Sequence, residues 1–307
     1  MNSMKTNFII IILLLVMISG FAQQEAQYSQ YMYNTININP AYAGARGVTS
    51  IFGLHRTQWV GLDGAPVTNA FSVNTPILNS KIGIGVSFVN DRIGPSDDNS
   101  ISADLSYTIQ TSRYSNLSFG FKATANLLNV DYTKLDRYDL NDPKFQNNVD
   151  NEFSPNIGAG IYYHNEKFYV GFSVPNFLAV KHFDDNASTT IEQRLHHYFM
   201  GGYVFDLSPS VKFKPTVLTK IVSGSPLQLD VSANVLLQDK ITLGLAWRWD
   251  AAATAIAGIQ LNDEIFIGYG YDFETTKLSN YNSGSHEIFL RYELFRVQKG
   301  IITPRFF

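Results

Sequence analysis

The stretch Asn99-Ser100-Ile101-Ser102-Ala103-Asp104-Leu105-Ser106-Tyr107-Thr108-Ile109-Gln110-Thr111 alternates apolar and polar side chains without a break. Successive strand residues point to opposite faces, so Ile101, Ala103, Leu105, Tyr107 and Ile109 share one greasy face while Ser102, Asp104, Ser106 and Thr108 share a wet one. The run is also long. Soluble strands average about five or six residues, whereas a tilted strand crossing lipid needs roughly nine to eleven.

The same split recurs along the chain. Ile82, Ile84, Val86 and Phe88 oppose Gly83, Gly85 and Ser87, and Leu117, Phe119, Phe121, Ala123 and Ala125 oppose Ser118, Gly120, Lys122 and Thr124. Further on, Leu227, Leu229, Val231, Ala233 and Val235 oppose Gln228, Asp230, Ser232 and Asn234. Reading every such run predicts fourteen strands: 48–59, 68–74, 81–91, 99–111, 116–128, 156–163, 167–174, 194–205, 211–222, 227–237, 241–249, 254–261, 265–272 and 286–294. Connections at even positions are mostly short, and the three longest (129–155, 175–193 and 273–285) all fall at odd positions. A soluble sandwich gives no reason for that sorting. An up-and-down transmembrane antiparallel β-barrel does, since its periplasmic turns are short and its outer loops long. Phe88, Trp249 and Tyr271 end greasy rows on the outer side, and Phe168, Phe205 and Tyr292 on the inner side, as two aromatic belts would. The faces predict that Arg at Leu105 costs ~2–4 kcal/mol, and far less at Ser106.

The rest of the composition fits. Of 307 residues 16% are charged, below the roughly 25% of soluble domains. The net charge of -3 offers no basic footprint for nucleic acid. There is no cysteine, hence no disulfide, thiolate metal site or lipid-anchored cysteine. Lys5, the apolar run from Phe8 to Ile18, and Gly20-Phe21-Ala22 read as an export signal cleaved before Gln23. The chain thus divides into a signal peptide (1–22), an N-terminal periplasmic or plug segment (23–47), the barrel (48–294) and a periplasmic tail (295–307), all addressed to the outer membrane of a Gram-negative cell.

No catalytic or cofactor motif is present: no G-x-S-x-G, H-E-x-x-H, P-loop or complete G-x-G-x-x-G. The pairs Gly83/Gly85, Gly158/Gly160 and Gly268/Gly270 fall on the wet face, where they provide room inside a small barrel or relieve curvature. His196 and His197 point to opposite faces and so do not share a metal ion. The acidic residues Asp131, Asp136, Asp139, Asp142, Asp150 and Glu152 lack a calcium-loop template and read as a solvated outer loop. Lys122, Lys212, Lys214, Lys220, Arg248 and Arg291 share the wet face with Asp104, Asp230, Glu287 and Glu293, which predicts ion pairs in the lumen. Residues 28–46 carry a single charge, four tyrosines, Met32 and Ile38. That is more apolar surface than a disordered leader usually offers and suggests an ordered plug.

Two stretches carry more than pattern. Gln30-Tyr31-Met32-Tyr33-Asn34 precedes Ile38-Asn39-Pro40-Ala41-Tyr42-Ala43-Gly44, and Arg56-Thr57-Gln58-Trp59-Val60-Gly61-Leu62-Asp63-Gly64-Ala65-Pro66 follows. This succession, with the ending Pro304-Arg305-Phe306-Phe307, resembles the PorP/SprF family. The resemblance implies a non-enzymatic outer-membrane barrel of the Bacteroidetes type IX secretion system. Such a barrel is needed for secretion or surface attachment of a cargo protein with a type B C-terminal domain, a gliding adhesin for example. Its implied partners are membrane lipid, that cargo and other secretion components. Candidate contacts with plug or partner are Tyr31, Asn39, Pro40, Tyr42, Arg56, Gln58, Trp59 and Asp63; the last four serve equally to build the turn from Gly61 to Pro66. The alternative is a solute channel of the fatty-acid-transporter type, also a fourteen-stranded barrel with an N-terminal plug.

Overall fold

The computed structural model describes residues 31–294, apart from 79, 136–146, 179–180, 183–190 and 193–194. The signal peptide and the C-terminal tail lie outside the described residues. Fourteen strands span the barrel: β1 (Thr49–Thr57), β2 (Val67–Pro76), β3 (Ile82–Ile93), β4 (Ser96–Ser112), β5 (Ser115–Val130), β6 (Val149–Asn165) and β7 (Phe168–Val174) make one half. The other half is β8 (His196–Tyr203), β9 (Val211–Val222), β10 (Gln228–Leu237), β11 (Ile241–Arg248), β12 (Ala252–Gln260), β13 (Ile265–Glu274) and β14 (Ser285–Leu294). Each strand pairs antiparallel with its sequence neighbours, and β1 pairs with β14 from Thr49↔Leu294 to Thr57↔His286, which closes the sheet. Closure leaves none of the fourteen spanning strands as a free edge of the sheet.

The burial pattern is that of a soluble protein turned inside out. Leu105 is 52% exposed and its neighbour Ser106 only 1%. Phe71, Val86, Phe121, Phe172, Leu243 and Ile288 likewise face outward, while Ser72, Ser87, Lys122, Ser173, Thr242 and Glu287 are buried. In water this arrangement would be costly; in lipid the outward apolar row is the solvated face. Trp247 stacked on Trp249 (6.2 Å) marks the outer aromatic belt, and Tyr203 beside Phe205 (4.5 Å) the inner one.

The strand ends that flank connections 58–66, 131–148, 175–195 and 275–284 lie at the outer end, against short inner turns such as 113–114, 166–167 and 238–240. Most strand bounds shift by a few residues from the sequence expectation, and two differences are larger. The loop expected over 129–155 is shorter, because β5 runs on to Val130 and β6 begins at Val149. A bulge interrupts that extension between Leu128 and Val130, with Asn151 at φ 51°. Beyond the bilayer both faces are wet, so alternation stops while ladder hydrogen bonding continues. The second difference is a short strand, Phe205–Ser208, which continues β8 along β9 after a break at Val204.

Candidate functional site

Residues 31–46 run inside the barrel, across the inner halves of β9, β7, β6, β5, β4 and β3, and leave toward β1. The Tyr31 hydroxyl hydrogen-bonds with Thr216 Oγ1 (2.9 Å). The Tyr33 ring stacks on Phe266 (5.4 Å) and lies against Phe289 (4.8 Å), with the Lys214 ammonium 5.4 Å from its centre. These rings belong to a cluster with Phe52, Tyr162, Tyr169, Tyr198, Met200 and Leu218, all pointing inward from the strands.

The main chain then makes a single helical turn, α1 (Thr35–Ile38), followed by a 3-10 turn at Pro40–Tyr42. A turn this short has no stability of its own, so its geometry is set by the wall around it. Lys122 Nζ donates to the Ile36 carbonyl (3.3 Å) while pairing with Asp104 (3.1 Å). Ser173 Oγ donates to the Ile38 carbonyl (2.9 Å) and Ser106 Oγ to the Ala43 carbonyl (2.7 Å). Gly44 N–H donates to Asn74 Oδ1 (3.2 Å). Four lumen side chains from β2, β4, β5 and β7 thus bind main-chain groups that would otherwise be buried without partners.

Asn39 is the pivot of this segment. Its Oδ1 accepts from Ala41 N–H (3.0 Å), capping the 3-10 turn, and its Nδ2 donates to the Ile161 carbonyl of β6 (3.0 Å). Its side chain presses on Gly160 and Gly171, where a Cβ would overlap it. The same relation repeats along the path. A Cβ at Gly85 would strike Ile36, one at Gly120 the backbone of Pro40 and Ala41, and one at Gly83 the Ala43 carbonyl. Gly44, at φ +71°, sits 3.0 Å from the backbone of Pro76 and Gly83 at its would-be Cβ. The strand glycines expected to make room therefore have particular occupants. Gly158 faces Pro175 of the following loop, and Gly268 faces the inward ring of Phe289.

Past the segment, Arg46 pairs with Glu293, which also holds Arg291 (3.2 Å). At the outer end of the lumen Arg56 donates to Asp272 (2.6 Å) and Glu287 (3.0 Å), joining β1 to β13 and β14. Gln58 accepts from Arg56 Nε (3.0 Å), and the Trp59 indole donates to Glu274 (3.2 Å). Trp59 N–H donates to Ser285 Oγ (3.1 Å) and Val60 N–H to the Gly284 carbonyl (2.9 Å), so the loop after β1 is strapped to the loop before β14. Arg248 pairs with Asp230 (2.7 Å). Buried side chains lie at the outer end, in the middle and in the inner half: Arg56 is 3% exposed, Phe289 2% and Ala41 0%.

The structure sorts the eight candidate residues into two groups. Tyr31, Asn39, Pro40 and Tyr42 lie together in the inner half; Arg56, Gln58 and Trp59 form the outer network, and Asp63 stands exposed at the tip of the β1–β2 loop. Of the expected lumen pairs, Lys122 meets Asp104, Arg248 meets Asp230 and Arg291 meets Glu293. Lys212 instead meets Asp239 in an inner turn (2.7 Å). Sequence reading missed Asn74, Ser106 and Ser173 as holders of the segment, and Asp272 as the partner of Arg56. Their only signal is membership of the wet row. The expectation that a charge at Ser106 is cheap is reversed here: the side chain is buried against Ala43 rather than facing lumen water. His196 is buried and His197 lies outward against Phe172 (6.3 Å), on opposite faces. In the outer loop Asp131 accepts from Thr133 and Asn148, and the Thr133 hydroxyl above all holds its carboxyl below the usual range.

Solved structures share the architecture at low identity. The CymD monoaromatic hydrocarbon channel covers 92% of this chain and 97% of its own, at 11% identity and a TM-score of 0.50. A TodX deltaS2S3 mutant monoaromatic hydrocarbon channel covers 85% and 94%, at 10% identity and 0.51. The toluene transporter TbuX of Ralstonia pickettii covers 84% and 92%, at 8% identity and 0.50. No curated protein matches. Such distant likeness carries the fold alone, a closed barrel of the outer membrane. The family model for the type IX secretion system membrane protein PorP/SprF matches residues 20–292, almost the whole barrel with its internal segment, and the chain belongs to that family.

Proposed function

We propose that this barrel is a non-enzymatic receiving partner of type IX secretion: it takes the type B C-terminal domain of a secreted protein, such as a large gliding adhesin, at its outer loops. It then retains that cargo at the cell surface. The observation that supports the reading is residues 31–46 packed against buried, inward-facing side chains of the strands, within a family tied to secretion. The chemistry open to a partner in this reading is at the outer rim, where the connections after β1, β5, β7 and β13 leave the barrel. In this reading residues 1–22 direct export, 23–47 act as a plug, and 295–307 remain periplasmic. Arg56, Gln58 and Trp59 stiffen the rim, and Asp63 faces the cargo. Affinity capture of the barrel from cells is expected to bring down a large secreted protein, and deletion of the gene to strip that protein from the surface. Intact surface display in the deletion strain removes the proposal.

The second reading is a solute channel. What favours it is the likeness in fold to hydrocarbon channels. Planar-bilayer recording separates the two: steady conductance or hydrocarbon uptake by the wild-type barrel supports the channel, and a silent barrel the receiving partner.

A further inference from the structure

The outward face of the barrel holds one feature that neither the lumen nor the rim loops explain. His55 of β1, Asn69 of β2, Asn90 of β3 and Asn99 of β4 stand opposite one another in register, on the same row as lipid-facing residues. Their side chains form a directed chain. The Thr57 hydroxyl lies 3.2 Å from His55 Nε2, and His55 Nδ1 lies 2.8 Å from Asn69 Oδ1. Asn69 Nδ2 donates to Asn90 Oδ1 (3.3 Å), and Asn90 Nδ2 to Asn99 Oδ1 (3.0 Å) and Asp97 Oδ1 (2.6 Å). An amide oxygen only accepts, so His55 donates to Asn69 from Nδ1. Every link from His55 onward then points the same way.

Strand propensity does not account for this ladder, because asparagine is depleted in strands and three stand in register across β2, β3 and β4. Nor does the ladder simply mark the edge of the greasy surface. Along the same row the next residue on β14 is Ile288, 52% exposed, and on the other side come Leu127 and Phe153, the latter 61% exposed. Strands in such a barrel are tilted, so the row climbs obliquely across the membrane. Apolar residues at both ends therefore make the ladder a polar notch in the outer apolar surface. The row directly beneath it reads Leu290, Gly53, Phe71, Phe88 and Ile101. Gly53 has nothing within 4 Å of where its Cβ would lie, so a dent opens between Leu290 and Phe71 under His55.

We infer that the notch and the dent together hold a lipid of the outer leaflet with an uncharged, hydroxyl-bearing head such as a sugar. Amides and imidazole supply donors and acceptors for hydroxyls, and the apolar wall below accepts the acyl chain. Charge selects the head. The cation beside the ladder, Arg92, is engaged by Asp97 (3.4 Å), and the carboxylate of Asp97 faces the same cluster, a poor setting for a phosphate.

The test uses the full-length barrel in nanodiscs containing equal parts monoglucosyl diacylglycerol and phosphatidylglycerol, with lipids retained through detergent extraction counted by native mass spectrometry. The wild type is expected to retain the glucosyl lipid preferentially. Asn69→Leu/Asn90→Leu, a change on the lipid face, is expected to lower that retention about five-fold, the loss of roughly one net hydrogen bond. Gly53→Leu, which fills the dent and leaves the ladder intact, is expected to lower it too and serves if the double variant fails to fold. Equal retention of phosphatidylglycerol, or retention unchanged in both variants, overturns the inference. So does a cross-link from Asn90→Cys to a second copy of the chain or to another polypeptide, which makes the notch a protein contact.

Discussion

The two halves of the lumen are packed by different means. In the inner half a length of main chain, Tyr31 to Gly44, lies over strand glycines and is gripped through its carbonyls by Lys122, Ser106 and Ser173. In the outer half the strands pair their own side chains, with Arg56 between Asp272 and Glu287 and Arg248 on Asp230. The first is a segment apart from the strands, held to the wall by the side-chain bonds just named. The second is built from side chains of the strands that seal the barrel, so it cannot be removed without leaving buried charge unpaired. The difference teaches that the stability of the sheet and the filling of its lumen are separable at the inner end and coupled at the outer end.

Six changes test that contrast. The largest effect is expected at Arg56→Ala, which strands Asp272 and Glu287 in a buried site and costs ~3–5 kcal/mol. Urea unfolding followed by heat-modifiable migration reads this out, and a loss below ~1 kcal/mol would mean that the outer half is not held by charge. Leu105→Arg, at mid-bilayer, is expected to cost ~2–4 kcal/mol by the same assay. Ser106→Arg has to displace Ala43 and should be comparably costly; a small penalty there would break the claim that the segment fills the inner half.

Smaller effects follow at the segment itself. Gly120→Val drives a side chain into Pro40 and Ala41, costing ~1–3 kcal/mol by overpacking. Because the ladder survives, the expected signature is a barrel that still folds but becomes cleavable by protease within residues 31–46. A variant as resistant as wild type would show that the segment tolerates the intrusion. Asn39→Ala removes the cap and the bond to β6, and ~1–3 kcal/mol is expected with the same protease signature. At the bottom of the scale stands Lys212→Ala. Its pair with Asp239 is 33% and 65% exposed at the side chains, so ~0–1 kcal/mol is expected.

Much of the fold was legible because alternation reports which solvent each face meets. The row Ile101, Ala103, Leu105 fixed both the outward face and the strand, and all fourteen spanning strands follow from repeating that reading. It failed where lipid no longer enforces it, at the bulged ends of β5 and β6 around Asn151. The candidate site was less legible. Asn39, Pro40 and Tyr42 stood out as an apolar, uncharged run, but nothing in their sequence names Gly120 or Gly160 as their seat. Those glycines looked like any others on the wet face.

The sequence by itself determined the barrel, its strand count and its two faces, because a two-residue period under a bilayer leaves one choice of inside and outside. Only the tertiary structure decided what the inside holds. Partners there come from residues far apart in the chain, Ser173 on the Ile38 carbonyl or Glu287 on Arg56, and such contacts depend on closure of β1 onto β14. Periodicity reads the solvent of each strand, whereas packing across a lumen is a property of all fourteen at once.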